Sequence, residues 1–177
     1  MDASRYRATE TLRDGRAVVV RAIRPDDKQA MLDAYHGLDE KTVYLRFFSA
    51  HGEPTAKELR EWTEVDFASI VRLIVCLPRG EGERIIGGAS YALLDRGNQA
   101  SEAEISFTIE EDFQGQGLAS KLLGHLTRIA QAAGIRRFVA ETLLENRAML
   151  AVFAHSALPM SRRFVNGVVH VTLDLPE

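Results

Sequence analysis

The chain has 177 residues, 46% of them hydrophobic and 27% charged, which suits one soluble domain with a sizeable core and leaves little room for two. Its 22 basic and 25 acidic side chains are mixed along the chain for a formal net charge of −3, and without a basic stripe a nucleic acid is excluded as the main partner. No apolar run approaches the roughly 20 residues of a membrane helix, and the first residues lack the apolar stretch of a secretory signal, so a cytoplasmic protein with no membrane partner is expected. Cys76 is the only cysteine, inside an apolar run, and reads as a buried small hydrophobe. The five histidines show no metal-ligand spacing, and no metal site is expected.

Asp14-Gly15 is a turn signal before the β-branched run 16–23, the first expected strand. Pro25-Asp26-Asp27 opens a helix whose apolar positions Ala30, Met31, Ala34, Tyr35 and Leu38 share one face. Helical stretches follow at 41–48 and 55–63, then strands at 69–77 and 84–94. Residues 102–109 alternate strictly between polar and apolar, as a half-buried fourth strand should. The clearest helix begins at Leu118, with Leu122 and Leu126 in one row, and stops at Gly134. A short fifth strand at 137–140, a helix at 146–158 and a hairpin turning at Asn166-Gly167 complete the chain. This order describes an α/β domain with a mixed central sheet of about seven strands flanked by helices.

The most informative stretch is Gln114-Gly115-Gln116-Gly117-Leu118-Ala119-Ser120, between a strand and the N terminus of the long helix. Free backbone amides and the positive end of the helix dipole suit that junction to phosphate oxygens, and a side chain at 115 or 117 would obstruct their approach. The spacing excludes a P-loop. A dinucleotide fingerprint fits in part, with Ser120 in place of its third glycine and Glu141 as the ribose ligand. The carboxylates of Glu110, Glu111 and Asp112 stand immediately before the loop, however, and are poor neighbours for a pyrophosphate. A tight strand-to-helix turn without a ligand is the plainer reading.

Gln114-x-x-Gly117-x-Ala119 resembles the Gln/Arg-x-x-Gly-x-Gly/Ala loop of the GNAT acetyltransferases, which cradles the pyrophosphate of CoA. Asp14-Gly15, Arg21-Ala22-Ile23-Arg24-Pro25-Asp26-Asp27 and Tyr44-Leu45-Arg46-Phe47-Phe48 are similar to the opening of the Pat-type protein lysine acetyltransferase branch. Glu141-Thr142-Leu143-Leu144-Glu145-Asn146-Arg147-Ala148-Met149-Leu150 is similar to that branch's approach to its last helix. The likeness runs over residues 13–175 and implies one GNAT domain over 1–177, with fourth and fifth strands that splay apart.

The resemblance implies an N-acetyltransferase that moves an acetyl group from acetyl-CoA to an amine, with a protein lysine favoured and a small-molecule amine as the alternative. The pantetheine arm would lie along Phe107-Thr108-Ile109 and meet Asn146, which also has the composition of a helix cap. Glu104 occupies the position of the family's general base; Glu102 and Glu110 are substitutes, and a solvated strand face is the alternative for all three. An amide near Ile109 would stabilise the oxyanion. Phe153 stands where many members carry a proton-donating tyrosine, with His155 and Ser156 as replacements or as ordinary helix-end residues. That departure also leaves open a non-catalytic acyl-CoA sensor. Tyr44, Arg46, Phe47 and Trp62 would border the acceptor groove, with plain packing the alternative for Phe47 and Trp62. The resemblance gives Asp66 no role, and the oligomeric state stays open.

Overall fold

The computed structural model describes residues 1–94 and 101–176. Among these residues eight strands form one sheet: β1 (Arg7–Thr11), β2 (Ala17–Ala22), β3 (Ile70–Arg79), β4 (Gly82–Leu93), β5 (Glu102–Ile109), β6 (Arg137–Leu143), β7 (Met160–Val165) and β8 (Val168–Asp174), in spatial order β1-β2-β3-β4-β5-β6-β8-β7. The sequence pattern missed β1, because an edge strand reading Arg-Ala-Thr-Glu-Thr never becomes fully buried and shows no apolar stripe. With β1 added, the expected fourth and fifth strands are β5 and β6. All neighbouring strands are antiparallel except these two, which run parallel.

Among the described residues five α-helices cover the sheet: α1 (Lys28–His36), α2 (Glu40–Phe47), α3 (Ala56–Thr63), α4 (Leu118–Ala132) and α5 (Arg147–Ala154). Strand alternation assigns the sides. Val71, Leu73 and Val75 of β3 join Tyr91, Phe138 and the α4 row Leu118, Leu122 and Leu126 in the main core. Ile74 and Cys76 point the other way and meet Ala30, Met31 and Ala34 of α1. Cys76 is fully buried, and burial pushes its thiol up to about 12, so it packs as a hydrophobe. Helix α5 ends at Ala154, short of the expected 158, because Ala157 takes a positive φ of 61° and Ser156 Oγ bonds back to the Phe153 carbonyl.

One buried ion pair ties the start of this helical layer to the sheet. Arg21 of β2 donates to both oxygens of Asp27 at 2.9 and 2.8 Å and also bonds Glu83 on β4. Burial raises the Asp27 pKa, but the hydrogen bonds from Arg21 and the Arg24 amide, together with the charges of both arginines, hold the carboxyl below its usual value. Asp27→Ala leaves a guanidinium buried without its bidentate partner and should cost about 3–5 kcal/mol in urea titration at pH 7. Because the folded pKa is depressed, this contribution is present above the unfolded value of about 4 and is lost as the pH falls through the folded value. The gap between wild type and variant should therefore close in acid.

Candidate active site

Strands β5 and β6 pair only at Glu102–Arg137, Ala103–Phe138 and Glu104–Val139. Beyond Glu104, β5 stays paired to β4 as far as Ile109, and β6 stays paired to β8 as far as Leu143. The two strands therefore part company, and a cleft of about 250 Å³ opens between them. Phe153 of α5 is 2% exposed and meets Phe107 edge-on at 6.1 Å, wedging the gap from the core side. Asn146 lines the same cleft while its side chain accepts from the Met149 amide at 3.2 Å, so it caps α5 as well.

The closed end of the split is pinned by Arg137, which donates to Glu102 at 2.7 Å. At the far end the Glu110 amide bonds back to the Ile86 carbonyl at 3.0 Å. Successive amides of a strand point to opposite sides, so the Ile109 amide faces the opening. Its carbonyl is held by Gln114 Nε2 at 2.9 Å.

The loop after β5 delivers the N terminus of α4. Gly115 and Gly117 take φ values of 73° and 84°, a region that costs other residues strain. Gly117 is the N-cap and offers no side chain, so the amides of Leu118, Ala119 and Ser120 have no acceptor among the described residues. Leu118 itself is buried, and its backbone is the part that faces the loop. The loop is braced from outside by Arg13, which donates to the Gly115 carbonyl at 2.9 Å, and by the Asp14 amide, which donates to Gln116 at 3.1 Å. Two of the three adjoining carboxylates are diverted: Glu110 is buried against Arg84, and Glu111 accepts from the Asp39 amide at 3.0 Å, while Asp112 is exposed. The charge objection to an anion here is thereby reduced, and bare amides beside backbone that a Cβ would strain fit the pyrophosphate of a CoA thioester.

A second cavity, of about 110 Å³, lies on the α1 side of β5. Arg46, Phe47, Ser106 and Phe107 line both spaces, so they form the wall between them. Thr108 lines this second cavity and not the cleft. Glu104 lines the cleft at the point where β5 leaves β6, is exposed, and forms no ion pair among the described residues. It differs in this from Glu102 and Glu110, both engaged by arginines.

Trp62 and Phe47 both line the second cavity and stack with their centroids 6.3 Å apart, while Tyr44 points to solvent and lines neither space. The proposed replacements for a tyrosine are occupied on their own helix end: His155 Nδ1 lies 2.7 Å from the Ala151 carbonyl, and Ser156 Oγ donates to Phe153. Asp66 has a structural task. Its Oδ1 accepts from the amides of Ala68, Ser69 and Ile70, which holds its pKa down to about 2 and fixes the turn into β3. Arg13 and Arg72 escaped the sequence reading. The signal for Arg72 was a charge at an inward position of the run Ile70-Val71-Arg72-Leu73.

A family model described as an acetyltransferase (GNAT) domain matches residues 17–157. The chain is 30% identical over 165 residues to acetyltransferase Pat of Mycolicibacterium smegmatis, covering 93% of this chain and 48% of that protein, so it spans about half the relative's length. The crystal structure of the GNAT domain of S. lividans PAT superposes with a TM-score of 0.86 at 34% identity, covering 96% of this chain and 97% of that one. A Salmonella typhimurium protein solved with its cofactor acetyl-CoA shares the fold, with a TM-score of 0.70 at 18% identity over 90% of this chain and 95% of that one.

The α4 junction generates a direct test. Gly117→Val places a β-branched residue at a left-handed φ, costing about 1–2 kcal/mol in strain, and sets a side chain before the open amides. Calorimetric affinity for coenzyme A should weaken by about tenfold or more while circular dichroism stays that of a folded protein. An unchanged affinity would show that these amides do not receive the pyrophosphate.

Proposed function

The chain belongs to the GNAT acetyltransferase family, and from that premise we propose that it transfers acetyl from acetyl-CoA to a protein lysine side chain by direct attack, with Glu104 as general base and residues 1–177 acting as one domain. The observation that carries the reading is the placement of Glu104: a carboxylate without an ion pair among the described residues, at the point where β5 and β6 separate, beside the wall shared by the two cavities. The cleft on one side takes the donor and the cavity on the other takes the acceptor.

Acetyl-CoA, when bound, supplies an acetyl thioester whose carbonyl carbon can accept a nitrogen. The chain's own residues do the rest. The amides of Leu118, Ala119 and Ser120 hold the pyrophosphate, and the glycines at 115 and 117 let it approach. Phe107, Asn146 and Phe153 border the arm, and Phe107, Thr108 and Ile109 contribute the open strand, with the Ile109 amide available to the developing oxyanion. Glu104 removes a proton from the acceptor ammonium, directly or through one water. A lysine amine has a reference pKa of about 10.4, and the nearby Arg46 guanidinium helps by disfavouring the charged amine. Phe153 has no proton to give. A thiol of pKa about 8.5, the cysteine reference, leaves tolerably as thiolate near neutral pH, and its proton comes from solvent.

A second acceptor class is favoured by one observation. The acceptor cavity is a small space under α1 and α3, lined by Arg46 and Arg72, which suits a small amine that carries negative charge. Either way, Glu104→Gln should lower acceptor-dependent release of CoA by about a hundredfold or more, the usual span of a lost general base, with acetyl-CoA affinity little changed. Release that survives the substitution would move the proton to water or another group. Binding of acetyl-CoA by wild type without turnover of any acceptor would leave a binding module in place of an enzyme.

A further inference from the structure

The floor of the acceptor cavity carries a line of polar groups across three strands. Arg72 on β3 stands opposite Ser90 on β4, and Ser90 stands opposite Ser106 on β5. Ser90 Oγ and Ser106 Oγ are 3.0 Å apart, and Arg46 Nη2 reaches over from α2 to Ser106 Oγ at 3.3 Å. Arg72 Nη1 donates to the Trp62 carbonyl at 2.9 Å. A guanidinium carries five N–H donors, and among the described residues these contacts engage one nitrogen of each arginine.

Neither arginine forms an ion pair with a carboxylate among the described residues. Glu104 is the acidic group whose field reaches Arg46, and Glu110, which lines the same cavity, is already held by Arg84. Burial lowers the Arg46 pKa against the opposing pull of Glu104. Burial, and then the like charge of Arg46, push Arg72 down to about 10. Two partly desolvated cations that repel each other are costly to hold together unless an anion joins them. Above them Tyr35, Phe47 and Trp62 form an aromatic roof, with Phe47 and Trp62 stacked and Tyr35 6.3 Å from Trp62.

We propose that Arg46 and Arg72 form an anion subsite in the acceptor cavity, so that the preferred acceptor carries a carboxylate a short carbon chain away from its reactive amine. The inference rests on the acetyl-transfer reading and narrows its substrate. The fork geometry of a guanidinium matches a carboxylate, the serines supply hydroxyl donors beside it, and the aromatic roof covers the intervening carbons. The carboxylate can come from a free amino acid or from an acidic residue flanking a lysine in a protein.

The test compares matched acceptors that differ only in that charge. Free amino acids are set against their primary amides, and a lysine peptide with flanking glutamates against one with flanking glutamines. In wild type, kcat/KM for the carboxylate member of the better pair should exceed its neutral counterpart by about tenfold or more. The ratio should fall to about twofold or less in Arg72→Gln and recover in part in Arg72→Lys, which keeps the charge without the fork. Whichever pair shows the larger ratio identifies the source of the carboxylate.

Calorimetry of the same compounds with the CoA-loaded protein gives a second readout that needs no turnover. A wild type that binds the acids in preference to the amides but acetylates nothing would sink the acetyl-transfer reading and leave the subsite standing. Equal turnover or binding of both members, a preference that persists in Arg72→Gln, or no binding of any acid would overturn the subsite. Each variant's own acid-to-amide ratio serves as its control, and melting curves identify one that fails to fold.

Discussion

Everything functional in this molecule follows from a parallel strand pair that stops after three residues. Backbone amides and carbonyls inside a protein need partners, and parallel neighbours ordinarily supply them along their full length. Here β5 leans toward β4 as far as Ile109 while β6 leans toward β8 as far as Leu143, and the inner edges beyond Glu104 face each other across a gap. The gap is propped open as well as left open: Phe153 packs beneath Phe107, and Asn146 caps α5 at the rim. An extended ligand with its own amides is the natural partner for such an edge.

The same parting arranges the charges. Beyond Ile109 the loop after β5 carries the chain to the N terminus of α4, where backbone dipoles favour an anion. The adjacent acidic run would oppose this were Glu110 not spent on Arg84 and Glu111 on the Asp39 amide. Near the closed end stands Glu104, and positive charge follows at Arg46 in the wall and at Arg72 beyond it. The two spaces thus bring together an open helix N terminus, a carboxylate that forms no ion pair among the described residues, and a pair of arginines. That alternation suits group transfer from a phosphorylated carrier to an amine better than it suits storage of a single ligand.

Local patterns made much of this legible in the sequence. The strict alternation of 102–109 announced a half-buried strand, and glycines ahead of a leucine-rowed helix announced the tight turn into α4. The family resemblance added the splay, which no spacing can reveal, since pairing between β5 and β6 is set by their partners on the outer sides. β1 stayed hidden because a charged edge strand has no apolar stripe to read. Arg72 stayed hidden because its meaning depends on Ser90 and Ser106 arriving beside it from other strands. The family resemblance put Glu104 ahead of Glu102 and Glu110, and the arginines on β6 and β4 now separate the other two from it in space.

A crystal structure with acetyl-CoA tests the central claim most directly. The account predicts a pantetheine arm lying between residues 105–109 of β5 and 140–143 of β6, with the pyrophosphate on the amides of Leu118, Ala119 and Ser120. A CoA bound outside this cleft, or strands β5 and β6 found paired along their whole length, would contradict it.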